Sequence, residues 1–210
     1  MSLGNGNPKE GDKGSNFNYE LKVLQGLEAI AVSLENQPST TNYGLYAATA
    51  NSATLTNTTI PGSLVGSGVG SLSVPPNTFK VGDSFHLKLF GHISCANNQQ
   101  FEITVSSGAA VLDTTGIITL AACTNKHWEL NMYFTVRTLG TATVAQIASA
   151  GIFNYSKNAS DSFQGTNFTN LNNTTFDTTV LNTLQIQGHW FAANPTNSIY
   201  SEICILNKLY

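Results

Sequence analysis

The alternation of apolar and polar residues in SFHLKLFGHIS, residues 84–94, constrains the fold more than any other stretch of the chain. Its apolar side chains at every second position include Phe85, Leu87 and Leu89. Successive side chains of a β-strand point to opposite faces of the sheet, so a period of two predicts a strand with one buried and one outward face. His86 and Lys88 belong to the outward face, which His92 joins unless Gly91 forms a bulge that shifts the register.

Strand-like sequence extends over residues 45–210, where runs rich in Val, Ile, Thr, Phe and Tyr are separated by Gly, Asn and Pro. The runs predicted as strands are residues 45–49, 52–59, 63–73, 82–94, 100–106, 109–120, 127–138, 142–155, 174–190 and 198–209. Nothing between them resembles the helical crossover that parallel strands need. The pattern therefore predicts an all-β, antiparallel domain that is folded as a sandwich or a barrel.

Residues 17–38 carry a helical pattern instead, because their apolar side chains form two adjoining seams with spacings of three and four. The residues of these seams include Val23, Leu24, Leu27, Ile30 and Leu34. A lone helix of this length is marginal in water, so the stripe predicts packing on copies of itself, on a partner or on its own domain. The predicted organisation is an arm and helix over 1–37, a linker over 38–44 and a β domain over 45–210.

Charge is scarce in this chain, since Asp, Glu, Lys and Arg make up 10% of the 210 residues and the formal net charge is -3. Because no basic surface is available to neutralise phosphates, this composition argues against nucleic acid as a partner. No apolar run approaches the roughly 20 residues that a membrane-spanning helix needs, so we expect no membrane insertion. The abundance of Asn, Thr, Ser and Gly is typical of extracellular β proteins and of viral surface proteins.

The residues that commonly bind metals are not spaced to do so. The cysteines, none of which belongs to a CxxC motif, are Cys95, Cys123 and Cys204. They are expected to be small buried residues, and a disulfide pair is the alternative. His86 and His92 are six positions apart, whereas neighbouring ligands on one face of a strand are two apart. We expect no metal and no cofactor, and the alternative is a metal on the axis of an oligomer, bound through His127 or His189.

Sequence motifs of hydrolases are absent as well, because the chain has no GxSxG elbow and no HExxH. The acidic residues in turn contexts, where an Asp side chain binds nearby backbone, are Asp83, Asp113 and Asp177. Glu102 and Glu129 fall on outward positions of predicted strands. We therefore expect no catalytic residues. The alternative is a glycan-active enzyme with a pair of acids, for which Glu102 or Asp161 would be the residue to change.

Aromatic residues divide between a predicted core and a candidate ligand rim. One face of the run 127–138 consists of Trp128, Leu130, Met132 and Phe134. This apolar face predicts core packing. Residues 156–178 are predicted to be a long polar loop, and a loop of this length is functional or tied down. The candidate rim consists of Phe163, Phe168, Trp190 and Phe191. The alternative is that these aromatic side chains pack across a subunit boundary.

Four segments carry a resemblance to a known family: GVGSLSVPPNTFKVGDSFHLKLFGHIS, TNKHWELNMYFTVRTLG, NNTTFDTTVLNTLQIQGHW and NSIYSEICILNKLY. They resemble virus-encoded β domains of tail-fibre, head-fibre and capsid-decoration proteins of bacteriophages and large DNA viruses. These domains are similar in architecture to the trimeric jelly rolls of tumour necrosis factor and of complement globular heads. The opening stretch GNGNPKEGDKGSNFNYELKVLQGLEAIA is similar to the start of phage structural proteins.

The resemblance implies an antiparallel jelly-roll sandwich with an N-terminal α-helical attachment segment, assembled as a homotrimer on the surface of a virion. Near the three-fold axis it implies contacts by Ile203, Ile205, Leu209 and Tyr210. Residues 1–37 would bind other virion proteins, and three weak sites would bind the repeated glycans of a host surface with avidity. Two alternatives remain: a capsid decoration or fibre with no further ligand, and a glycan-active enzyme of the tailspike type.

Overall fold

The computed structural model describes residues 44–158, 162–171 and 175–210 of the chain. The predicted N-terminal helix and nearly all of the predicted linker lie outside these residues, so both stay predictions. The helix-seam residues outside the described part are Val23, Leu24, Leu27, Ile30 and Leu34. Within the described ranges, no helix has the length and the apolar character that are needed to cross a membrane.

The described residues contain fourteen strands and no helix. In chain order the strands are β1 (Gly44–Ala48), β2 (Leu55–Thr56), β3 (Gly62–Ser63), β4 (Gly68–Gly70), β5 (Ser73–Val74), β6 (Ser84–Cys95), β7 (Gln99–Ser107), β8 (Ala110–Thr114), β9 (Ile118–Leu120), β10 (Cys123–Thr138), β11 (Gln146–Ser156), β12 (Phe163–Asn170), β13 (Asn182–Trp190) and β14 (Ser198–Lys208). Every pairing between them is antiparallel. The all-β, antiparallel part of the prediction is therefore confirmed.

These strands form two sheets. The larger sheet has eight strands, seven of them in the order β12-β11-β10-β6-β14-β1-β4, while β2 pairs with β14. The smaller sheet has six strands, in the order β3-β13-β7-β8, while β5 pairs with β13 and β9 pairs with β7. Long strands form the middle of the larger sheet, since β6, β10 and β14 have 12, 16 and 11 residues. Sequence neighbours are thus often in different sheets, and most pairings join distant parts of the chain.

A single hydrophobic core is built from buried side chains of both sheets. In β6, buried and partly exposed residues alternate along the whole strand, as the period of two predicts. The predicted core face of β10 is also buried, with Trp128, Leu130, Met132 and Phe134 at most 5% exposed. Phe101 of the smaller sheet packs against Phe153 of the larger sheet, with ring centroids 6.2 Å apart. Burial of apolar surface between the inner faces is the main force that holds the two sheets together.

Gly91 does not interrupt β6, which stays in register with β10 on both sides of it. The bulge lies in β14, where the register shifts between Ser201 and Ile203. The bulged backbone comes so close to β6 that a Cβ atom at Gly91 would lie 2.0 Å from the carbonyl oxygen of Tyr200. His92 therefore keeps the register of β6 and lies on its outward face.

Several predicted elements differ from the structure. Residues 156–178 are not a continuous loop, because they contain β12, which pairs with β11. The predicted strand 109–120 is divided into β8 and β9, and Gly116 between them has a φ of 62°. The predicted strand 63–73 holds the whole of the short strand β4 and one residue each of β3 and β5. Polar edge strands such as β12 show no apolar alternation, so only their pairing reveals them.

Candidate interaction face

The outward side of the larger sheet, called the outer face below, displays alternate residues of its three central strands. They are His86, Lys88, Phe90 and His92 of β6, His127, Glu129, Asn131 and Tyr133 of β10, and Tyr200, Ile203, Ile205 and Asn207 of β14. Directly opposite residues of antiparallel strands have their Cβ atoms about 5 Å apart, so the side chains form rows across the sheet.

His92 is the centre of one such row. Its ring centroid lies 4.3 Å from that of His127 and 5.8 Å from that of Tyr200. The Nδ1 atom of His92 is 3.2 Å from Oε1 of Glu202, and the hydroxyl of Tyr200 donates to the same oxygen at 3.3 Å. Desolvation and, second, the negative charge of Glu202 raise the pKa of Tyr200. This row is a polar part of the outer face, with donors and acceptors open to a ligand or partner.

His86 belongs to a second ordered group on the outer face. Its ring stacks on that of Tyr133, with centroids 4.3 Å apart and planes 1° from parallel. Its Nε2 atom lies 2.8 Å from Oδ1 of Asn131, and because an amide oxygen only accepts, this nitrogen carries the proton. The stacking and the hydrogen bond hold the three side chains in one arrangement, so this part of the surface is preorganised for contact.

Apolar side chains cover much of the remaining outer face. Those with large exposure, one on each of five strands, are Val69 on β4, Ile203 on β14, Tyr133 on β10, Ile152 on β11 and Phe163 on β12. Phe90 on β6 is half-buried, and Nζ of Lys88 lies 5.3 Å from its ring centroid. Exposed apolar residues on neighbouring strands, with polar rows between them, make this face the candidate interaction surface.

A shallow groove crosses the outer face at β10, β11 and β12. Its lining includes Tyr133, Ala150, Ile152, Asn167 and Thr169. The small side chain of Ala150 lies opposite Tyr133 and two residues from Ile152, which lowers the floor between the larger groups. An aromatic ring beside amide and hydroxyl groups is the combination that contacts sugars or protein side chains.

The C-terminal residues predicted for a subunit interface are accessible. Ile203 is 46% exposed, and Ile205, half-buried, is its neighbour on the outer face. Leu209 and Tyr210 follow β14, and Tyr210 is 81% exposed. The N–H of Leu209 donates to the carbonyl of Ser84 at 2.8 Å, which keeps this segment beside β6. Their contact with other subunits stays a prediction.

The candidate ligand rim is divided between the two sides of the larger sheet. Phe163 is 75% exposed and lies on the outer face at the start of β12. Phe168, five residues on, points to the opposite side and packs against the hydrophobic core. Its ring covers Gly151, where a Cβ atom would lie 2.4 Å from Cζ of Phe168. Phe163 and Phe168 therefore do not share one rim.

The other two rim residues belong to the smaller sheet and its end. Trp190 has no exposed surface, and its ring centroid is 4.6 Å from that of Phe101. The prediction that Trp190 lines a ligand rim is therefore wrong, because its side chain is part of the core. Phe191 is half-buried and packs on the ring of His189, with centroids 4.2 Å apart.

Two of the acidic residues considered above, Asp83 and Glu102, make structural bonds. Oδ1 of Asp83 lies 2.7 Å from Nζ of Lys208, and Oε1 of Glu102 accepts from the Thr114 hydroxyl at 2.6 Å. Asp161 lies outside the described residues. Among the residues that the structure describes, no group of three or more His, Cys, Asp and Glu side chains could hold a metal ion.

Asp113 lies in β8 and is buried, which corrects the prediction that it belongs to a turn. The Ser149 hydroxyl on β11 is 3.0 Å from Oδ2 of Asp113 and 2.8 Å from the carbonyl oxygen of Leu112. Nδ2 of Asn170 on β12 donates to the same carbonyl at 3.1 Å. Burial raises the pKa of Asp113, although the N–H of Thr114 and the Ser149 hydroxyl oppose the shift. This network joins the two sheets along one side.

The substitution Asp113→Asn should remove a pH-dependent loss of stability. A carboxyl whose pKa is raised in the folded state binds its proton more tightly there than in the unfolded chain. The contribution of this carboxyl to stability is therefore fully present below its ordinary pKa of 3.8, and it is lost as the pH rises through the pKa of the folded state. Urea unfolding from pH 3 to pH 7 should show that the free energy of unfolding of the variant, relative to that of the wild type, increases as the pH rises.

Asp177→Asn is the control, because the effect of this substitution on stability should change with pH in the opposite direction. Hydrogen bonds from the side chain and the N–H of Thr179 lower the pKa of Asp177 in the folded state. The contribution of this carboxylate to stability is therefore present above pH 3.8 and is lost as the pH falls through the lowered pKa. The free energy of unfolding of this variant, relative to that of the wild type, should decrease as the pH rises. A stability difference for Asp113→Asn that does not change with pH would show that its carboxyl is not the titrating group.

A cavity of about 110 Å³, partly open to solvent, borders the hydrophobic core. Its lining includes Phe79, Phe85 and Phe176. Two polar residues at its wall, Ser107 and Asn182, are hydrogen-bonded to each other at 2.9 Å. The cavity thus presents an apolar lining, which favours its interpretation as a packing space over a site that orients a polar ligand.

The alternation of β10 and β11 predicts that Tyr133 and Ile152 lie on an outward face, although neither was among the predicted site residues. The row of His92, His127 and Tyr200 has no signal within any one run, because its members come from three strands. In comparisons with known proteins, no family model, no curated protein and no solved structure matches this chain.

Proposed function

We propose that the chain is a structural protein of a virus particle, a homotrimeric component of a head fibre, tail fibre or capsid decoration. It projects from the particle and contributes to adhesion to host glycans. The observation that carries the proposal is the outer face, which combines exposed apolar residues on successive strands with preorganised polar rows. Such a surface suits binding and assembly, which need area and complementarity instead of a catalytic pocket.

We further propose that the domain is a jelly roll, and the pairing of eight of its strands supports this. In chain order these strands are β1, β3, β6, β7, β8, β10, β13 and β14. The first pairs with the eighth, the second with the seventh, the third with the sixth and the fourth with the fifth. A long antiparallel hairpin rolled into two sheets has this nested pairing, and it is the double-sheet jelly roll. The hairpin of β11 and β12 extends the larger sheet.

The homotrimer would use the outer face near β14. Ile203, Ile205 and Phe90 form an apolar centre there, and Tyr210 adds an exposed ring at the end of the strand. Lys88 lies against the ring of Phe90, and Glu129 and Glu202 are the other charged side chains next to this centre. Burying the apolar residues against copies of the chain gains the hydrophobic contribution, which the desolvation of these charges offsets in part.

Host adhesion would fall to the part of the outer face farther from β14. The groove at Tyr133, Ala150 and Asn167 offers an aromatic ring beside amide groups. One such site binds a sugar weakly, and three on one trimer would gain affinity on a surface with repeated glycans. The carboxylates of Asp83 and Glu102 are tied to Lys208 and Thr114, which favours adhesion over the alternative of glycan hydrolysis.

Light scattering on the full chain tests the assembly. We expect a mass of three chains of 22.4 kDa each. The change Ile203→Asp should convert the trimer to monomers at micromolar concentration, because it would bury three uncompensated carboxylates at one interface. A wild-type monomer would contradict the proposed trimer.

Adhesion is tested separately, by measuring whether the full chain binds to a panel of immobilised glycans.

Ile117→Asp is the matched control for the light-scattering experiment. Ile117 is 56% exposed, close to the 46% of Ile203, but it lies between β8 and β9 of the smaller sheet. This variant should stay a trimer. If both changes dissociate the assembly equally, or if neither does, the outer face near β14 is not the interface.

A further inference from the structure

Two of the three cysteines are direct neighbours in the larger sheet. Cys95 ends β6 and Cys123 begins β10, and the two are paired residues of the antiparallel ladder. Their sulfur atoms are 3.5 Å apart although the residues are 28 positions apart in the chain. Cα atoms of directly opposite residues are about 4.5 to 5.5 Å apart, which is within the range that a disulfide spans.

Closing this pair needs little movement. A disulfide bond is about 2.05 Å long, so the sulfurs have to approach by about 1.5 Å. Cys95 is the last residue of its strand, and the register of β10 shifts between Cys123 and Lys126. Strand ends and irregular ladders adapt more easily than the middle of a sheet. The local geometry therefore permits the small rotation of the two side chains that a bond requires.

The two thiols are also chemically unequal. Their mutual hydrogen bond lowers the pKa of Cys123 and, together with burial, raises that of Cys95. The thiolate is the nucleophilic form of cysteine, so Cys123 is the sulfur that reacts first. Both side chains are buried, but the exposed residues Asn97 and Thr124 lie within two positions of them. A small oxidant therefore has a short path to the pair when the strand ends open.

We propose that Cys95 and Cys123 are an oxidation site at which a hydroperoxide converts two thiols into one intramolecular disulfide. The Cys123 thiolate attacks an oxygen of hydrogen peroxide, the O–O bond breaks, and the leaving hydroxide takes a proton and becomes water. The sulfur of Cys95 then attacks the sulfenic acid of Cys123, a second water leaves, and the S–S bond forms. Both sulfurs are oxidised, and one peroxide is reduced to two water molecules.

The bond would tie β6 to β10 at one end of the larger sheet. A cross-link between residues 28 positions apart restricts the unfolded chain, so the oxidised protein is the more stable form. The reduced form would be present where thiols are kept reduced, and the oxidised form would arise outside such a compartment. This inference does not depend on the proposed assembly or on adhesion.

Cys204 is an internal control for the chemistry. It is buried in β14 with Leu89 as its ladder partner, and burial raises the pKa of its thiol to about 12. Its sulfur is neither paired with another cysteine nor present as thiolate at neutral pH. A general oxidation of accessible thiols would not separate Cys204 from the other two in the way that a paired site does.

The test treats the full chain with a small excess of hydrogen peroxide, unfolds it and alkylates the remaining thiols. We expect one alkylated cysteine, Cys204, and a peptide cross-link between Cys95 and Cys123 in the mass spectrum. The melting temperature should rise by about 5–10 °C on oxidation and return after dithiothreitol. Alkylation of all three thiols, or loss of Cys204 before the pair, would overturn the proposal.

Two variants make the assignment specific. Cys123→Ser should abolish both the cross-link and the rise in melting temperature, whereas Cys204→Ser should keep both. A rise that persists in Cys123→Ser would count against the pair. If Cys123→Ser does not fold, the peptide map of the oxidised wild type and of Cys204→Ser decides, because each shows directly whether Cys95 and Cys123 are linked.

Discussion

The change Gly91→Ala should destabilise the domain by more than about 4 kcal/mol or prevent its folding. A Cβ atom at this position would lie 2.0 Å from the carbonyl oxygen of Tyr200 and 2.7 Å from Cα of Ser201. Both are backbone atoms, so no side-chain rotation relieves the collision and β14 has to move away from β6. Circular dichroism and thermal unfolding of the purified variant measure the effect.

The bulge of β14 is held too firmly to move at low cost. Ser52 and Ser201 exchange two hydrogen bonds of 2.9 Å, and the Ser201 hydroxyl donates to the carbonyl of Leu64 at 2.6 Å. Nε1 of Trp128 donates to the Tyr200 carbonyl at 3.0 Å, which is the oxygen that the new Cβ would meet. Shifting β14 therefore breaks several buried hydrogen bonds together, each with an unpaired group as the consequence.

Gly44→Ala is the control for the glycine substitution itself. Among the residues that the structure describes, a Cβ atom there would meet only Oδ1 of Asn207, at an ordinary contact distance of 3.5 Å. This variant should stay within about 1 kcal/mol of the wild type, since alanine also reduces the freedom of the unfolded chain. Equal losses at Gly44 and Gly91 would show that the close approach of β14 is not the cause.

Trp190→Ala should lower the free energy of unfolding by about 3–5 kcal/mol. The indole has no exposed surface, packs on Phe101 and donates from Nε1 to the carbonyl of Leu55 at 3.4 Å. Truncation leaves a large cavity and removes the hydrogen bond to the Leu55 carbonyl, and the two costs add. Urea unfolding followed by circular dichroism measures the loss, because the variant also lacks one of the two fluorescent tryptophans.

Phe191→Ala provides the comparison one residue further on. Phe191 is half-buried against the ring of His189, so its truncation should cost about 1 kcal/mol. The adjacent aromatic residues would then differ several-fold in their effect on stability. Similar losses for both would contradict the burial of Trp190, and a loss of glycan binding with unchanged stability in Phe191→Ala would restore that residue to a ligand rim.

Burial of Trp190 and accessibility of Tyr133 change where a ligand or a partner would bind. The candidate rim placed recognition on Phe163, Phe168, Trp190 and Phe191. Two of these side chains pack in or against the core, whereas the outer face displays Tyr133, Ile152 and the row centred on His92. Mutations intended to affect binding should therefore be made on the outward positions of β6, β10 and β11.

Local sequence determined that each long run forms a strand and which of its two faces is buried. The alternation in residues 84–94 predicted the buried face of β6, and the run 127–138 predicted that of β10, because the period of two is a property of consecutive residues. Runs rich in Val, Ile, Thr, Phe and Tyr between turn residues were sufficient for the all-β class. Short or polar strands such as β12 had no such pattern and were missed.

Only the tertiary structure decided which residues meet, since pairing in an antiparallel sheet joins residues far apart in the chain. It brought Cys95 beside Cys123, and it set His92 between His127 and Tyr200. The role of Gly91 has the same origin, because the space for a side chain there is occupied by the bulge of another strand. A strand's own sequence determines which of its side chains share a face, but the strands that pack against it determine what those side chains contact.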